Sequence, residues 1–443
     1  MNQSNLYQPK TLQGFNDYFS SDVRIREYVK YLFRTTYQKY GFEPLETPAL
    51  EYSELMLGQS GEEAEKQYYR FRDNGDRDVM LKFEVMISMC RAIAQSYNDI
   101  VFPYKRYQIQ NVWRAEKVQK GRYREFTQMD ADTLGTLSML ADAEIIQMGI
   151  EVVRKLGFED FSARISNRKF LEGLAEFYNI DKSKYYEFFM SIDKLEKIGK
   201  DNVIQELIDK RGIDAKLANE SINTLVEGSK INSFSDLLSF FQNSVGQTRV
   251  GKDALDEISQ IINYLKNVGV DEKYFKFDAT IARGLASYTG PVWEFTVYDG
   301  GVGSIAGGGR YDKAIEKYIG KSIPATGISF GLERISDIIK SRNMYNPEAN
   351  LKVLVTIFSE DTQNKSVEVA NYLRNSEIPT MLYPETAKLD KQFKYADKKN
   401  IPFVLVIGPD ELSSNTIQVK DMVNRTQRQS NLEEIVTILK SLS

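Results

Sequence analysis

Apolar and aromatic side chains at positions 25, 28, 29, 32, 33, 37 and 40 recur at the spacing of one helical face. The pattern predicts a helix over 25–40, capped by Ser20 or Ser21 and stopped by Gly41. FEPLETPALEY follows, and its Pro44 and Pro48 favour extended chain over continued helix. Alternating character with aromatic and β-branched residues predicts strands at 79–85 (VMLKFEV), 104–116 (YKRYQIQNVWRAE) and 125–135 (EFTQMDADTLG). No long helix is read between them, so an antiparallel sheet is expected. Helical spacing returns at 141–156.

Residues from about 170 to 270 are helix-rich and polar, with FLEGLAEFYNI, YYEFFMSIDKLEKIGK and ALDEISQIINYLKNVGV the clearest periodic stretches, and read as an inserted helical module. Strand character resumes in KFDATIARG and PVWEFTVYD, and the glycine-dense GGVGSIAGGGRYD reads as a turn. From Leu351 strands alternate with helices: LKVLVTIF, a helix over 362–373, PTMLY, a helix over 388–399, FVLVIG, TIQVKD and a helix over 432–442. That order predicts a compact α/β domain with a mostly parallel sheet. The chain therefore reads as α+β: a first domain over 1–340, a linker over 341–350 (SRNMYNPEAN) and a second domain over 351–443. No internal repeat is visible.

Composition narrows the chemistry. Apolar residues make up 42% and charged residues 27% of 443, the proportions of an ordinary globular protein. With a formal charge of −4, any RNA contact must come from local Lys/Arg clusters. Cys90 is the single cysteine, which excludes disulfides and zinc sites built from several thiolates and suits a reducing cytoplasm. MNQSNLYQPKTLQGF lacks an apolar secretory core and no run of 18 apolar residues occurs, so neither secretion nor a membrane span is expected. Histidine is absent altogether. That excludes a Ser-His-Asp triad, imidazole metal ligands and imidazole proton shuttles. Carboxylates, guanidinium and ammonium groups and bound metal remain, an inventory suited to phosphate activation, where positioning and charge neutralisation supply most of the catalysis.

Four peptides concentrate that inventory. In VWRAEKVQKGRYREFTQMD (112–130), Arg114 and Glu116 share a face of the predicted strand while Lys117, Lys120, Arg122 and Arg124 crowd the loop beyond. Such an array can grip phosphates; a solvated charged hairpin would look the same. GISFGLERI (327–335) has Gly327 and Gly331 flanking a strand-to-helix passage from which Arg334 projects, a pattern that is also a plain helix start with an ion-pair residue. IARGLASYTGPVWEF (281–295) and GGGRYD (307–312) complete the set.

Taken in this order, the peptides resemble the histidyl-tRNA synthetase family of class II aminoacyl-tRNA synthetases. The helix and extended segment near 25–52 are similar to motif 1, residues 112–130 to motif 2 in its histidyl form GRYREF, residues 327–335 to motif 3, and 281–295 and 307–312 to the two histidyl signature peptides. The final domain resembles the family's anticodon-binding domain. The resemblance implies an antiparallel-sheet catalytic domain carrying a helical insertion. It also implies ATP and Mg²⁺ as cofactors, histidine as the leading substrate, the histidine tRNA as partner and a homodimer built on motif 1.

The same resemblance assigns the site. Arg114 and Arg283 would be the catalytic residues, Arg114 contacting the ATP α-phosphate and substrate carboxylate and Arg283 stabilising charge on that phosphate. Glu116, Arg122, Phe126 and Arg334 would complete the ATP site, with Phe126 on adenine and Arg334 on the γ-phosphate. Glu84, Met86, Gln128, Asp132, Arg283, Ser287, Tyr288, Gly307, Gly308 and Tyr311 would form the amino-acid pocket. Within it Glu84 would hold the α-amino group and Asp132 would read the imidazole N–H. Gly307, Gly308 and Gly309 would let backbone approach the ligand. Lys117, Lys120 and Arg122 would face the tRNA acceptor end, and no protein-held metal site is implied. The chain departs from the family at Met86, where a hydroxyl residue is usual, at Ala286 and Ser287, which replace an acidic residue and a tyrosine, and at Thr127, where His or Tyr is frequent. These changes favour, as the second reading, a catalytically silent or altered-specificity paralogue that senses an amino acid or tRNA.

Overall fold

The computed structural model describes residues 8–57, 67–282, 288–345 and 351–441. The chain divides after Tyr345 into two compact units. In the first, eleven strands form in chain order: β1 (Glu43–Pro44), β2 (Leu50–Tyr52), β3 (Arg70–Arg72), β4 (Asp78–Leu81), β5 (Tyr104–Trp113), β6 (Glu125–Leu134), β7 (Phe161–Asn167), β8 (Phe275–Phe277), β9 (Pro291–Val297), β10 (Ala306–Arg310) and β11 (Ala325–Gly331). Eight of them make one sheet in the order β1-β5-β6-β11-β10-β9-β7-β8. The six inner strands pair antiparallel, while β1 and β8 join parallel at the edges.

Because side chains alternate across a strand, register sorts this sheet into two unlike faces. Met129, Ala131, Ile328, Phe330 and Phe295 point one way into an apolar core. There they meet the helices Ser20–Lys39, Met139–Lys155 and Leu332–Ser341, Phe33 lying edge-on to Phe330 at 4.9 Å. Their neighbours point the other way: Arg106 opposite Asp132, Gln108 opposite Asp130, Gln110 opposite Gln128, and Arg164 opposite Glu294. The second face is therefore polar, and much of it is buried. Between β7 and β8 the helices from Arg168–Phe177 to Arg249–Asn267 form the insertion, whose apolar residues merge with the main core.

Several elements differ from the sequence pattern. The strand expected over 79–85 stops at Leu81, and Val85–Gln95 is a helix, with Val85, Met89, Cys90 and Ile93 buried along one side. The alternating reading carried the strand as far as Val85, the first residue of that stripe, and missed a helix inside the run of strands. The next strand ends at Trp113, so Arg114 and Glu116 lie on the connection beyond it. The triple glycine lies in the central strand β10, not in a turn. A Cβ at Gly308 would fall 2.3 Å from the Gly327 carbonyl oxygen and 2.5 Å from the Trp293 ring nitrogen, so close packing demands the glycine. Among the described residues of KFDATIARG, only Lys276 and Phe277 are strand, as the end of β8. Phe19 occupies the cap position of the first helix with Ser20 and Ser21 already inside it, while Gly41 follows its end with φ +79°.

In the second unit β12 (Val353–Val355), β13 (Thr380–Leu382) and β14 (Phe403–Val406) pair parallel, and β15 (Ile417–Asp421) and β16 (Thr426–Ser430) add an antiparallel hairpin. The sheet is thus mixed rather than mostly parallel, because the polar strand β16 carries no apolar alternation to betray it. Met344 and Tyr345, inside the expected linker, pack on the first unit, where Tyr345 stacks on Tyr28 at 4.1 Å.

Candidate active site

A cavity of about 410 Å³ opens on the polar face above β6, β11, β10 and β9. The connection from β5 to β6 forms one wall. There the Arg114 guanidinium lies 5.1 Å from the Phe126 ring, and its Nε donates to the Phe83 carbonyl at 2.9 Å. Glu116 stands between two cations, 4.0 Å from Arg114 and 3.8 Å from Arg122. Arg334 also lines the cavity, from the first turn of the helix Leu332–Ser341. Its Nε donates to the Gly121 carbonyl at 3.2 Å and its Nη1 to the Ser304 carbonyl, so the guanidinium ties the hairpin tip to the segment entering β10. Neighbouring Glu333 pairs with Arg26 at 2.9 Å and accepts from the Thr127 amide at 3.0 Å. Burial pushes its carboxyl up, against the pull of Arg26.

The floor is a hydrogen-bonded polar layer. The Val85 amide donates to Gln128 Oε1 at 3.1 Å, and Gln128 Nε2 donates to Ser329 Oγ at 2.9 Å. Asp132 is ion-paired with the fully buried Arg106 at 2.5 Å and accepts from the Tyr311 hydroxyl. Burial raises the Asp132 carboxyl, with Arg106 opposing. Behind it Gln108 donates to Thr47 Oγ1 at 2.8 Å, and the buried Lys82 ammonium donates to Gln110 at 2.6 Å and the Thr47 carbonyl at 3.0 Å. Desolvation brings Lys82 down to about 8. Burial raises Glu84 against the charges of Arg114 and Lys317. Tyr288 is raised well above the ordinary phenol range by burial, then by Glu84, Asp130 and Asp132.

Of the residues singled out from sequence, Arg114, Glu116, Arg122, Phe126, Gln128, Tyr288, Gly307, Gly308 and Arg334 line this one cavity. Glu84, Met86, Asp132, Tyr311, Lys117 and Lys120 are not among its lining residues. Asp132, expected to meet an imidazole, has one oxygen on Arg106 and the other on Tyr311. Met86 packs with Met80 and Ile87. Lys117, Lys120 and Arg122 are exposed on the hairpin. Arg283, Ala286 and Ser287 lie outside the described residues. Sequence reasoning passed over Tyr123, Glu294, Ser329 and Glu333, which also line the cavity. Alternation could have found two of them: Glu294 shares a face with Val292, and Ser329 with Gly327 and Gly331.

Comparison with known proteins gives the same outline. The family model described as histidyl-tRNA synthetase matches residues 14–335, and the anticodon binding domain matches residues 352–442. A histidine–tRNA ligase of Clostridium tetani is 38% identical over 99% of this chain and 100% of its own length. One from Cytophaga hutchinsonii is 34% identical over 97% of this chain and 99% of its own. Among solved structures, histidyl-tRNA synthetase from Nostoc sp. PCC 7120 superposes with a TM-score of 0.86 at 30% identity, covering 99% of this chain and 100% of that one. An ATP phosphoribosyltransferase regulatory subunit/histidyl-tRNA synthetase from Bacillus halodurans shares the fold at 19% identity, with a TM-score of 0.76, covering 91% of this chain and 99% of that one.

Proposed function

The chain belongs to the histidyl-tRNA synthetase family, and we propose that it activates histidine with ATP and transfers it to the 3′ end of the histidine tRNA. One observation carries the catalytic part: Arg114 and Arg334 line the same cavity, together with Phe126 and the polar residues Gln128 and Ser329. A cavity of about 410 Å³ with aromatic and guanidinium walls suits a nucleotide, the ring stacking on Phe126 and the phosphates lying between the two arginines.

In the first step a substrate carboxylate oxygen attacks the α-phosphorus of ATP, forming an acyl-phosphate bond as the bond to the β-phosphate breaks and pyrophosphate leaves. Arg114 holds the carboxylate and α-phosphate, Arg283 neutralises charge on that phosphate, and Arg334 takes the γ-phosphate end. Glu116 and Glu294, both lining the cavity, would offer hard oxygen donors to Mg²⁺, which would supply neutralisation of the polyphosphate. No protein base is required, consistent with a chain that has no imidazole. In the second step a ribose hydroxyl of the terminal adenosine attacks the acyl carbon and AMP leaves, with Lys117, Lys120 and Arg122 on the exposed hairpin guiding the acceptor end.

The second unit supplies the anticodon contact, two copies of the chain assemble through the motif 1 region, and the protein works in the cytoplasm. A silent sensor is the less favoured reading, because Arg114 and Arg334 line one cavity and ligases match along the full chain. Among the described residues no helix is long and apolar enough to cross a membrane.

ATP–pyrophosphate exchange run with each of the twenty amino acids tests the reading. Histidine alone should support exchange, and the same preparation should charge the histidine tRNA. Absence of any amino-acid-dependent exchange would overturn the enzyme assignment, and exchange with a different amino acid would overturn histidine.

A further inference from the structure

One buried carboxylate beside the cavity-lining residues Gln128 and Ser329 has no role in the reading above. Asp130 sits mid-strand in β6, on the face that carries Gln128 and Asp132, in register with Gln108 of β5 and Ser329 of β11. It is only 5% exposed. Gln128 and Ser329, its neighbours along and across the strands, both line the cavity. The hydrogen bonds here run in one direction. The Val85 amide donates to Gln128, Gln128 donates to Ser329, and the Ser329 hydroxyl bonds the Asp130 carboxylate. The relay ends there, for Asp130 Oδ1 is buried without a hydrogen-bond partner.

The surrounding charges leave that oxygen in want of a donor. Arg106 and Gln108 face it from β5, Asp132 from its own strand, Glu84 from ahead of the helix Val85–Gln95, and Tyr288 from the cavity wall, while Tyr37 lies behind the sheet. Arg106 pairs with Asp132 at 2.5 Å and donates to Gln108 at 3.2 Å, and although its Nε has no hydrogen-bond partner, it makes none to Asp130. Three carboxylates, Glu84, Asp130 and Asp132, thus gather where one buried guanidinium is engaged. An unsatisfied buried acceptor is costly unless a ligand completes it.

We propose that Asp130 is a specificity-determining residue of the amino-acid pocket, its Oδ1 accepting a hydrogen bond from a positively charged nitrogen of the bound amino acid. The inference rests on the synthetase reading and deepens it, since it states what the site asks of its substrate. Burial pushes the Asp130 carboxyl up to about 8, with Arg106 pulling against it and the charge of Asp132 adding to it. The raised carboxyl favours its protonated form, so binding of a cation there would displace a proton. Either the α-ammonium or a protonated ring can be that cation.

The test compares wild type with Asp130→Asn and Ser329→Ala in pyrophosphate exchange, using histidine and its 1,2,4-triazole analogue, whose ring resists protonation. Asp130→Asn is expected to raise KM for histidine by on the order of 10-fold, the scale of a hydrogen bond to a charged group, with kcat within about twofold. It should also flatten the dependence of KM on pH between about 7 and 9. A rise for histidine alone assigns the ring as partner; equal rises for both compounds assign the ammonium. Ser329→Ala, which keeps the carboxylate but cuts the relay, should move KM the same way by less. KM within twofold of wild type for both compounds in a folded Asp130→Asn protein would overturn the proposal, as would a lower kcat and melting temperature at unchanged KM. Should Asp130→Asn not fold, unchanged KM in folded Ser329→Ala would overturn it equally. Wild type without histidine-dependent exchange is a different failure, that of the synthetase reading itself.

Discussion

Arg114, Phe126 and Arg334 were legible through the resemblance of the peptides that carry them, and all three border one cavity. Asp132 was legible as a pocket carboxylate but not in its commitments, which depend on register: β5 sets Arg106 directly opposite, and Tyr311 reaches in from beyond β10. Asp130 gave even less sign, because its importance lies in what it lacks. Its raised carboxyl also has a measurable consequence for the free protein. Below pH about 4 both folded and unfolded chains hold the proton. Between about 4 and 8 the unfolded chain ionises while the folded one does not, so stability is lost as pH rises, and above about 8 the loss levels off. Asparagine carries no such penalty. Asp130→Asn should therefore melt higher than wild type without substrate, by on the order of a few degrees at pH 8 and by little near pH 4. Calorimetry across that range checks the sign, and a gain that shrinks toward alkaline pH would contradict it.

Strands and helices follow local pattern only while one periodicity dominates. The alternation that correctly announced β5 and β6 also swept up Val85, which begins a helix whose first amide anchors Gln128. The glycine run looked like a turn by composition, yet β10 uses it so that Trp293 and β11 can press close. Gly327 shows the same logic at its sharpest, since a Cβ there would lie 1.8 Å from Asp132 Oδ1. Gly327→Ala must displace Asp132 from Arg106 and Tyr311, and breaking such a buried pair costs about 3–5 kcal/mol. The melting temperature and kcat/KM should both fall. Gly331→Ala is the control, because beyond its chain neighbours a Cβ there would meet only the flexible Arg334 side chain, at 3.9 Å. That variant should melt within about 1 kcal/mol of wild type, and parity between the two variants would refute the packing argument.

For the molecule as a whole, the change from consecutive strands to alternating strands and helices near residue 351 announced a second unit, and the chain does divide after Tyr345. Chemistry and anticodon recognition should then separate. A chain ending after Tyr345 should retain histidine-dependent pyrophosphate exchange within about tenfold while its tRNA charging drops by on the order of 100-fold, a loss of about 3 kcal/mol of tRNA binding. Equal losses in both assays would show that the first unit cannot work alone. The composition offers one further opening. Since the polypeptide contains no imidazole, every imidazole resonance in a magnetic-resonance spectrum of its complex belongs to the ligand. Tautomer and ring charge of a substrate held above the acidic floor can thus be observed free of the background that most proteins impose.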